Sequence, residues 1–161
     1  EKSDVGPLIS KKAIKKIKNH IDDALSKGGE ILIGGKKSKI GKLFFEPTIV
    51  TNINKSMKIF SNENFGPIIP VIKFKSDDEL IQLANDTNYG LAAYFYTKKA
   101  SRVWKIIENL EYGMLGINSG KISSYLNPFG GLKESGVGRE GSIQCLEPFL
   151  ETKFVSWSYD D

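Results

Sequence analysis

The chain has 161 residues and a net charge of +4, from 23 Lys and Arg against 19 Asp and Glu, and its length leaves room for one domain at about 100–200 residues each. A hydrophobic share of 40% is that of a globular chain rather than a disordered one, and no apolar run reaches the roughly 18–20 residues of a membrane helix. One cysteine excludes an internal disulfide and one histidine excludes a Cys/His metal cluster, so no metal site is expected.

The start, Glu1-Lys2-Ser3-Asp4, carries neither an apolar signal core nor an initiator Met. A start inside a longer chain or after processing is therefore expected, as is a soluble, cytoplasmic protein. Ser10 can cap a helix that runs to about Ser26, with Ile14, Ile17, Ile21 and Leu25 on its apolar face and Gly28-Gly29 as its stop. Glu30 to Ile33 reads as a short strand. Phe44 to Ile53 is extended, and Pro47 within it predicts an edge or irregular strand. Pro67 to Phe74 is a further apolar extended run. Ser76-Asp77-Asp78-Glu79 is a capping box for a helix with Leu80, Leu83 and Ala84 on its buried stripe. Leu91 to Tyr96 is a strand, and Ala100, Val103, Trp104 and Ile107 mark a helix. Gly113 to Asn118 is again a strand. From Ser119 to Gly141 the chain is dominated by Gly, Ser, Asn and Pro. A short helix over Ser142 to Glu147 is expected to end at Pro148, and a last strand spans Phe149 to Trp157. The strand–helix–strand run from about 91 to 118 predicts an α/β domain with a largely parallel sheet.

The basic balance invites a nucleic-acid reading, but only Arg102 and Arg139 are arginines, the side chain best shaped for bidentate phosphate and guanine contacts. Lys11, Lys12, Lys15, Lys16 and Lys18 read as a solvated helix face, with RNA binding as a minor alternative. Cys145 lies in an apolar helical stretch far from His20, the only candidate base, so it reads as a buried structural thiol rather than a nucleophile. His20 itself is expected at the surface or at a helix interface. Gly136-Val137-Gly138-Arg139-Glu140-Gly141 matches G-x-G-x-x-G, but it lacks the buried strand before and the long helix after that a phosphate loop needs. Asp160 stands near the offset of a ribose-binding acid, beyond a strand. The glycines read as positive-φ positions in a compact loop.

Two segments are more specific. Ser61-Asn62-Glu63-Asn64-Phe65-Gly66-Pro67 places a carboxylate, which can accept two hydroxyl hydrogen bonds from a ribose diol, two residues before an aromatic that can pack on a flat heterocycle. Pro128-Phe129-Gly130-Gly131 to Glu140 is too rich in glycine, with a Phe and an Arg-Glu pair, for an ordinary linker. Glu63 to Pro67 resembles the E-x-F-G-P motif of the aldehyde dehydrogenase superfamily. Pro128 to Gly131 with Lys133, Ser135-Gly136, Gly138, Arg139 and Glu140 resembles its P-F-G-G-x-K-x-S-G-x-G-R-E block. Between them, Asn85 to Ala93 is similar to its N-x-x-x-Y/F-G-L-A stretch. Order and spacing agree from Gly6 to the last strand. Asp86 to Tyr96, and Gly116 to Gly120 followed by Ile122-Ser123-Ser124, look most like succinate-semialdehyde dehydrogenases.

The resemblance implies oxidation of an aldehyde to an acid with NAD or NADP: a thiolate attacks, hydride passes to the nicotinamide, and a carboxylate activates water. It implies that Glu63 holds the nicotinamide-ribose hydroxyls and Phe65 packs near the nicotinamide. Ser123 would donate to the distal carboxylate of a semialdehyde, and Phe129 would line the aldehyde channel. Residues 1–148 would be the C-terminal portion of the catalytic domain, and 149–161 an oligomerisation strand and tail that joins a neighbouring subunit's sheet. The family's G-Q-x-C nucleophile and E-L-G-G general-base segments are absent, so the chain contributes no catalytic residue. The missing N-terminal part of the enzyme and a small-molecule aldehyde are then its partners, in a homo-oligomer. The alternative is an orphan fragment that only binds or oligomerises.

Overall fold

The computed structural model describes residues 4–159, which gather into two compact units dividing between Phe74 and Lys75.

The first unit is organised by helix α1, Lys11–Ser26. Ser10 Oγ accepts the Ala13 N–H at 3.2 Å, the cap expected from the sequence. The helix ends in a Schellman turn: the Gly29 N–H reaches the Ala24 carbonyl at 2.8 Å, and Gly28, at φ +92°, donates to Leu25 O at 3.2 Å. Ile14, Ile17, His20, Ile21 and Ala24 form the buried face. The last apolar position is thus Ala24, fully buried, and not Leu25, which is 44% exposed. His20 belongs to the interior, which settles its place at an interface and not at the surface.

Strand β1, Glu30–Ile33, pairs antiparallel with β2, Thr48–Thr51, and β2 pairs parallel with β3, Ile68–Pro70. The segment expected as an edge or irregular strand therefore supplies the central strand of this sheet, with a register shift against β1 between Ile31 and Ile33. Pro47 permits it because it lies just ahead of the first paired residue, where no ladder donor is needed. Val50, Ile53, Met57, Ile59 and Ile68 complete the core beneath α1. A short helix α2, Lys58–Ser61, has no cap from its own N-cap residue, Met57. Asp23 of α1 supplies one, its Oδ2 accepting the Lys58 N–H at 2.7 Å, while Lys27 pairs with Asp23 Oδ1 at 2.9 Å.

The second unit begins with α3, Asp77–Asn85. Ser76 Oγ accepts the Glu79 N–H at 3.2 Å, but Glu79 Oε2 reaches back to the Lys75 N–H at 2.7 Å, one residue earlier than in a standard capping box. Leu80, Leu83 and Ala84 are half-buried rather than buried. Strands β4, Tyr89–Gly90, and β5, Ala92–Phe95, precede α4, Ala100–Asn109, and β6, Met114–Ile117. β5 and β6 are parallel, as the strand–helix–strand pattern predicts. On α4 the buried position is Ile106, while Trp104 is 64% exposed, so the inward face is turned from the one expected. Asp77 pairs with Arg102 and Asp78 with Lys105, both at 2.6 Å, joining the charged sides of α3 and α4. Tyr112 donates its hydroxyl to Ala84 O at 2.6 Å, and burial pushes its phenol pKa up. β7, Leu132–Lys133, pairs antiparallel with β4.

The α/β class holds, but the largely parallel sheet does not. Among the described residues there are three small sheets with two parallel and two antiparallel pairings. For the sheet of β1, β2 and β3 and for the β5–β6 pair, the directions follow the connections. Each parallel pair is bridged by a segment that contains a helix, α2 or α4, whereas 34–47 holds none and returns its strand antiparallel. The last helix is a 3-10 helix, Ile143–Phe149, with Pro148 inside it rather than after it. The φ that proline imposes suits a 3-10 turn, and only one N–H is lost. No strand forms over residues 150–159, which are exposed. No described helix is long and apolar enough to cross a membrane.

The Lys27 side chain and then the Lys58 N–H hold the Asp23 carboxyl below its usual value of 3.8. A lowered carboxylate pKa contributes stability above the ordinary value, and the contribution is lost as pH falls through the lowered one. Asp23→Asn is expected to flatten the loss of stability below about pH 4, read as the urea midpoint against pH.

Candidate functional site

Residues 62–67 leave α2 as a tight loop on the first unit. The Gly66 N–H donates to Asn64 O, and the Ile68 N–H to Gly66 O, each at 2.8 Å. A Cβ on Gly66 would stand 2.8 Å from Ile17 Cδ1 and 3.2 Å from Leu8 Cδ2, so any larger residue would have to displace these side chains for the loop to lie this close to α1. Asn64 points inward: its Nδ2 donates to Ile59 O at 2.8 Å and its Oδ1 meets His20 Nδ1 at 2.6 Å. Asn64 is half-buried, and its neighbours Glu63 and Phe65 are exposed. Phe65 is 82% exposed, an aromatic ring held out by a loop whose main chain is fixed. It also borders an open apolar groove of about 830 Å³ with Leu8, Ile49, Pro67 and Ile69. Glu63 and Phe65, paired in the sequence reading, thus lie in one loop and are both exposed.

Ser123 and Phe129 belong to the second unit. Ser123 is exposed, in a loop that leaves β6 after Asn118 closes the strand end with two bonds to Thr97, from Nδ2 to Thr97 O and from the Thr97 N–H to Oδ1. Ser124 next to it anchors the loop by accepting Asn127 N–H at its carbonyl. Phe129 is half-buried and exchanges main-chain bonds with Glu140, at 2.8 and 2.7 Å. Its side of the loop lines an open cavity of about 490 Å³ with Gly131, Ser135, Arg139, Cys145 and Phe149.

Three polar side chains of the Pro128–Glu140 segment, Lys133, Ser135 and Arg139, are tied to backbone. Arg139 Nη1 donates to Gly131 O at 2.9 Å and Gly138 O at 2.7 Å, and Ser135 Oγ accepts the Gly90 N–H at 3.0 Å. Lys133 adopts φ +54° and turns its Nζ onto Asn85 O at 2.9 Å and Thr87 O at 3.1 Å, beside Glu111. Gly136, Gly138 and Gly141 all have positive φ, between a two-residue strand and a 3-10 helix. This is the compact loop read from the sequence and not a phosphate loop. Asp160 lies outside the described residues. Cys145 is a free thiol, half-buried rather than buried as expected.

Sequence reasoning missed the His20–Asn64 link and the carbonyl anchors of Lys133 and Arg139. His20 carried a signal, because it stands three residues after Ile17 and one before Ile21, on the apolar row. Lys133 carried none, since its carbonyl partners are 48 and 46 residues away.

The model of the aldehyde dehydrogenase family matches residues 1–155. A probable succinate-semialdehyde dehydrogenase [NADP(+)] of Sinorhizobium fredii is 50% identical over 151 residues, which are 94% of this chain and 31% of that protein. The glutarate-semialdehyde dehydrogenase of Pseudomonas aeruginosa is 49% identical over 150 residues, 93% of this chain and 31% of that one. The crystal structure of succinate-semialdehyde dehydrogenase from Burkholderia pseudomallei superposes with a TM-score of 0.86 at 50% identity, over 89% of this chain and 30% of that one. The chain spans about 30% of the length of these relatives.

Arg139→Met is expected to loosen the Phe129–Glu140 bridge. Loss of two hydrogen bonds from a charged donor lowers the local opening free energy by about 1.5–3 kcal/mol. Amide exchange at Phe129 and Glu140 should then accelerate roughly ten- to hundredfold, measured by hydrogen exchange.

Proposed function

The chain belongs to the aldehyde dehydrogenase family, and we propose that it is the C-terminal portion of an NAD- or NADP-dependent enzyme that oxidises a semialdehyde, succinic semialdehyde first, to its acid. The observation that carries this reading is the outward pair on the 62–67 loop, with Phe65 82% exposed beside an exposed Glu63. The residues fit a nicotinamide nucleotide by their chemistry. A carboxylate offers two acceptors to the two hydroxyls of a ribose, and an aromatic with an open face suits a flat ring. When bound, the cofactor supplies the hydride acceptor, so that aldehyde and water become acid with release of a proton.

Glu63 accepts the ribose hydroxyls and fixes the sugar. Phe65 packs beside the nicotinamide and keeps water from that side. Ser123, exposed on its loop, donates to the distal carboxylate that distinguishes a semialdehyde from a simple aldehyde. Phe129 lines the passage for the aldehyde. The similarity to both a succinate- and a glutarate-semialdehyde dehydrogenase fits this class, since one methylene is worth only about 1–3 kcal/mol of discrimination. The nucleophile and the general base come from the remaining portion of a longer cytoplasmic polypeptide, with 1–148 as catalytic-domain portion.

Residues 149–161 act in this reading as a strand for a neighbouring subunit. Phe154, Val155 and Trp157 support it, being 89%, 71% and 78% exposed with no strand partner among the described residues. The same exposure favours a second reading, a fragment that only associates through this segment.

In the full-length enzyme, Glu63→Gln is expected to lower kcat/KM for NAD(P)+ roughly ten- to hundredfold, through weaker bonds to the ribose. Unchanged cofactor kinetics would remove Glu63 from the site. The purified 161-residue chain, mixed with succinic semialdehyde and NAD(P)+, is expected to form no NAD(P)H. Measurable turnover would overturn the assignment of nucleophile and base to the remaining portion.

A further inference from the structure

Helix α1 touches the 62–67 loop at successive turns of one face. Ile17 receives Gly66, His20 receives Asn64, and Asp23 caps the α2 helix that leads into the loop. The three residues are spaced i, i+3 and i+6, so they form one row along the helix. Of the three, His20 alone reaches the residue between Glu63 and Phe65.

The direction of that bond follows from the network. Asn64 Nδ2 is committed to the Ile59 carbonyl at 2.8 Å, which can only accept. The other amide atom facing His20 is therefore the Oδ1 acceptor, and the His20 Nδ1 at 2.6 Å must carry the proton. His20 is 3% exposed, so its ring N–H needs a partner within the protein. Asn64 is then held three times: by His20 and Ile59 at its side chain, and by the Gly66 N–H at its carbonyl. With the Asn64 side chain locked inward, Glu63 and Phe65 on either side of it are left exposed.

We propose that His20 is a positioning residue for the nucleotide site: its buried Nδ1–H, through Asn64, sets the direction in which Glu63 and Phe65 are presented. The inference rests on the reading of Glu63 and Phe65 as cofactor contacts. His20 touches neither cofactor nor substrate and takes no part in proton transfer.

The test uses the full-length enzyme that bears this chain and three variants. His20→Leu keeps bulk but removes the donor. His20→Asn places an amide N–H where Nδ1 stands. Asn64→Ala breaks the link from the loop side and leaves the helix intact if His20→Leu fails to fold. His20→Leu and Asn64→Ala are each expected to raise KM for NAD(P)+ roughly tenfold, the scale of one buried hydrogen bond, with KM for the aldehyde little changed. His20→Asn should recover most of that loss. The double variant should be no worse than the worse single one, because both break the same link. In the enzyme without cofactor, hydrogen exchange of a peptide covering 59–68 should quicken in His20→Leu and recover in His20→Asn. Additive effects, or wild-type cofactor KM and exchange in folded Asn64→Ala, would overturn the proposal. A Glu63→Gln variant separates the two failures. If it alone raises the cofactor KM, the site stands and the positioning role falls. If it has no effect, the site reading itself falls.

Discussion

The row Ile17, His20 and Asp23 on the inner face of α1 is the constraint from which the first unit's exposed features follow. Each member answers a different physical need. Ile17 offers an apolar surface that Gly66 approaches closely. His20 offers a buried donor that needs an acceptor. Asp23 offers a carboxylate to the free N–H at the start of α2, whose own N-cap residue, Met57, makes no side-chain cap. Hydrophobic burial sets how deep the loop lies, while the two polar members set which way it faces. An apolar residue in place of His20 would keep the depth and lose the direction.

The second unit reaches order by a different route. Its core is thinner, and among its described residues Ile106 is the buried large side chain. The Pro128–Glu140 loop is held instead by long cations turned onto main-chain carbonyls and by glycines at close approach. Gly113 is an instance: a Cβ there would lie 2.0 Å from the Gly130 carbonyl oxygen. Carbonyls bound in this way have no need of water, so a loop without helix or long strand still closes its hydrogen bonds. The polar residues that make the segment recognisable, Lys133, Ser135 and Arg139, are spent inside it.

Local patterns were legible where local physics decides. Ser10 and Ser76 cap the helices they precede, the 3–4 spacing of Ile14, Ile17 and Ile21 marks the buried face of α1, and β5, α4 and β6 appear in order. What failed depends on partners distant in sequence. Pro47 argued for an edge, but strand order is set by which segments return to pair. Trp104 looked like core because it falls on the expected apolar stripe of α4, yet it is 64% exposed and Ile106 is the buried position. Glu63 and Phe65 were legible as a pair because both lie in one loop. Asn64 was not, because its two side-chain bonds mean nothing until α1 lies beside it.

Lys133 holds a left-handed backbone, φ +54°, where glycine would sit with less strain. Judged by dihedral angle alone, it is a position to relieve by mutation to glycine, the usual route to a more stable variant. The amine at the end of the same side chain ties Asn85, Thr87 and Glu111 to β7. Glycine would therefore ease one residue and release three others. A stabilising library scored only on backbone conformation would choose this substitution and weaken the unit. The strain here is a feature to protect in any re-engineering of the chain.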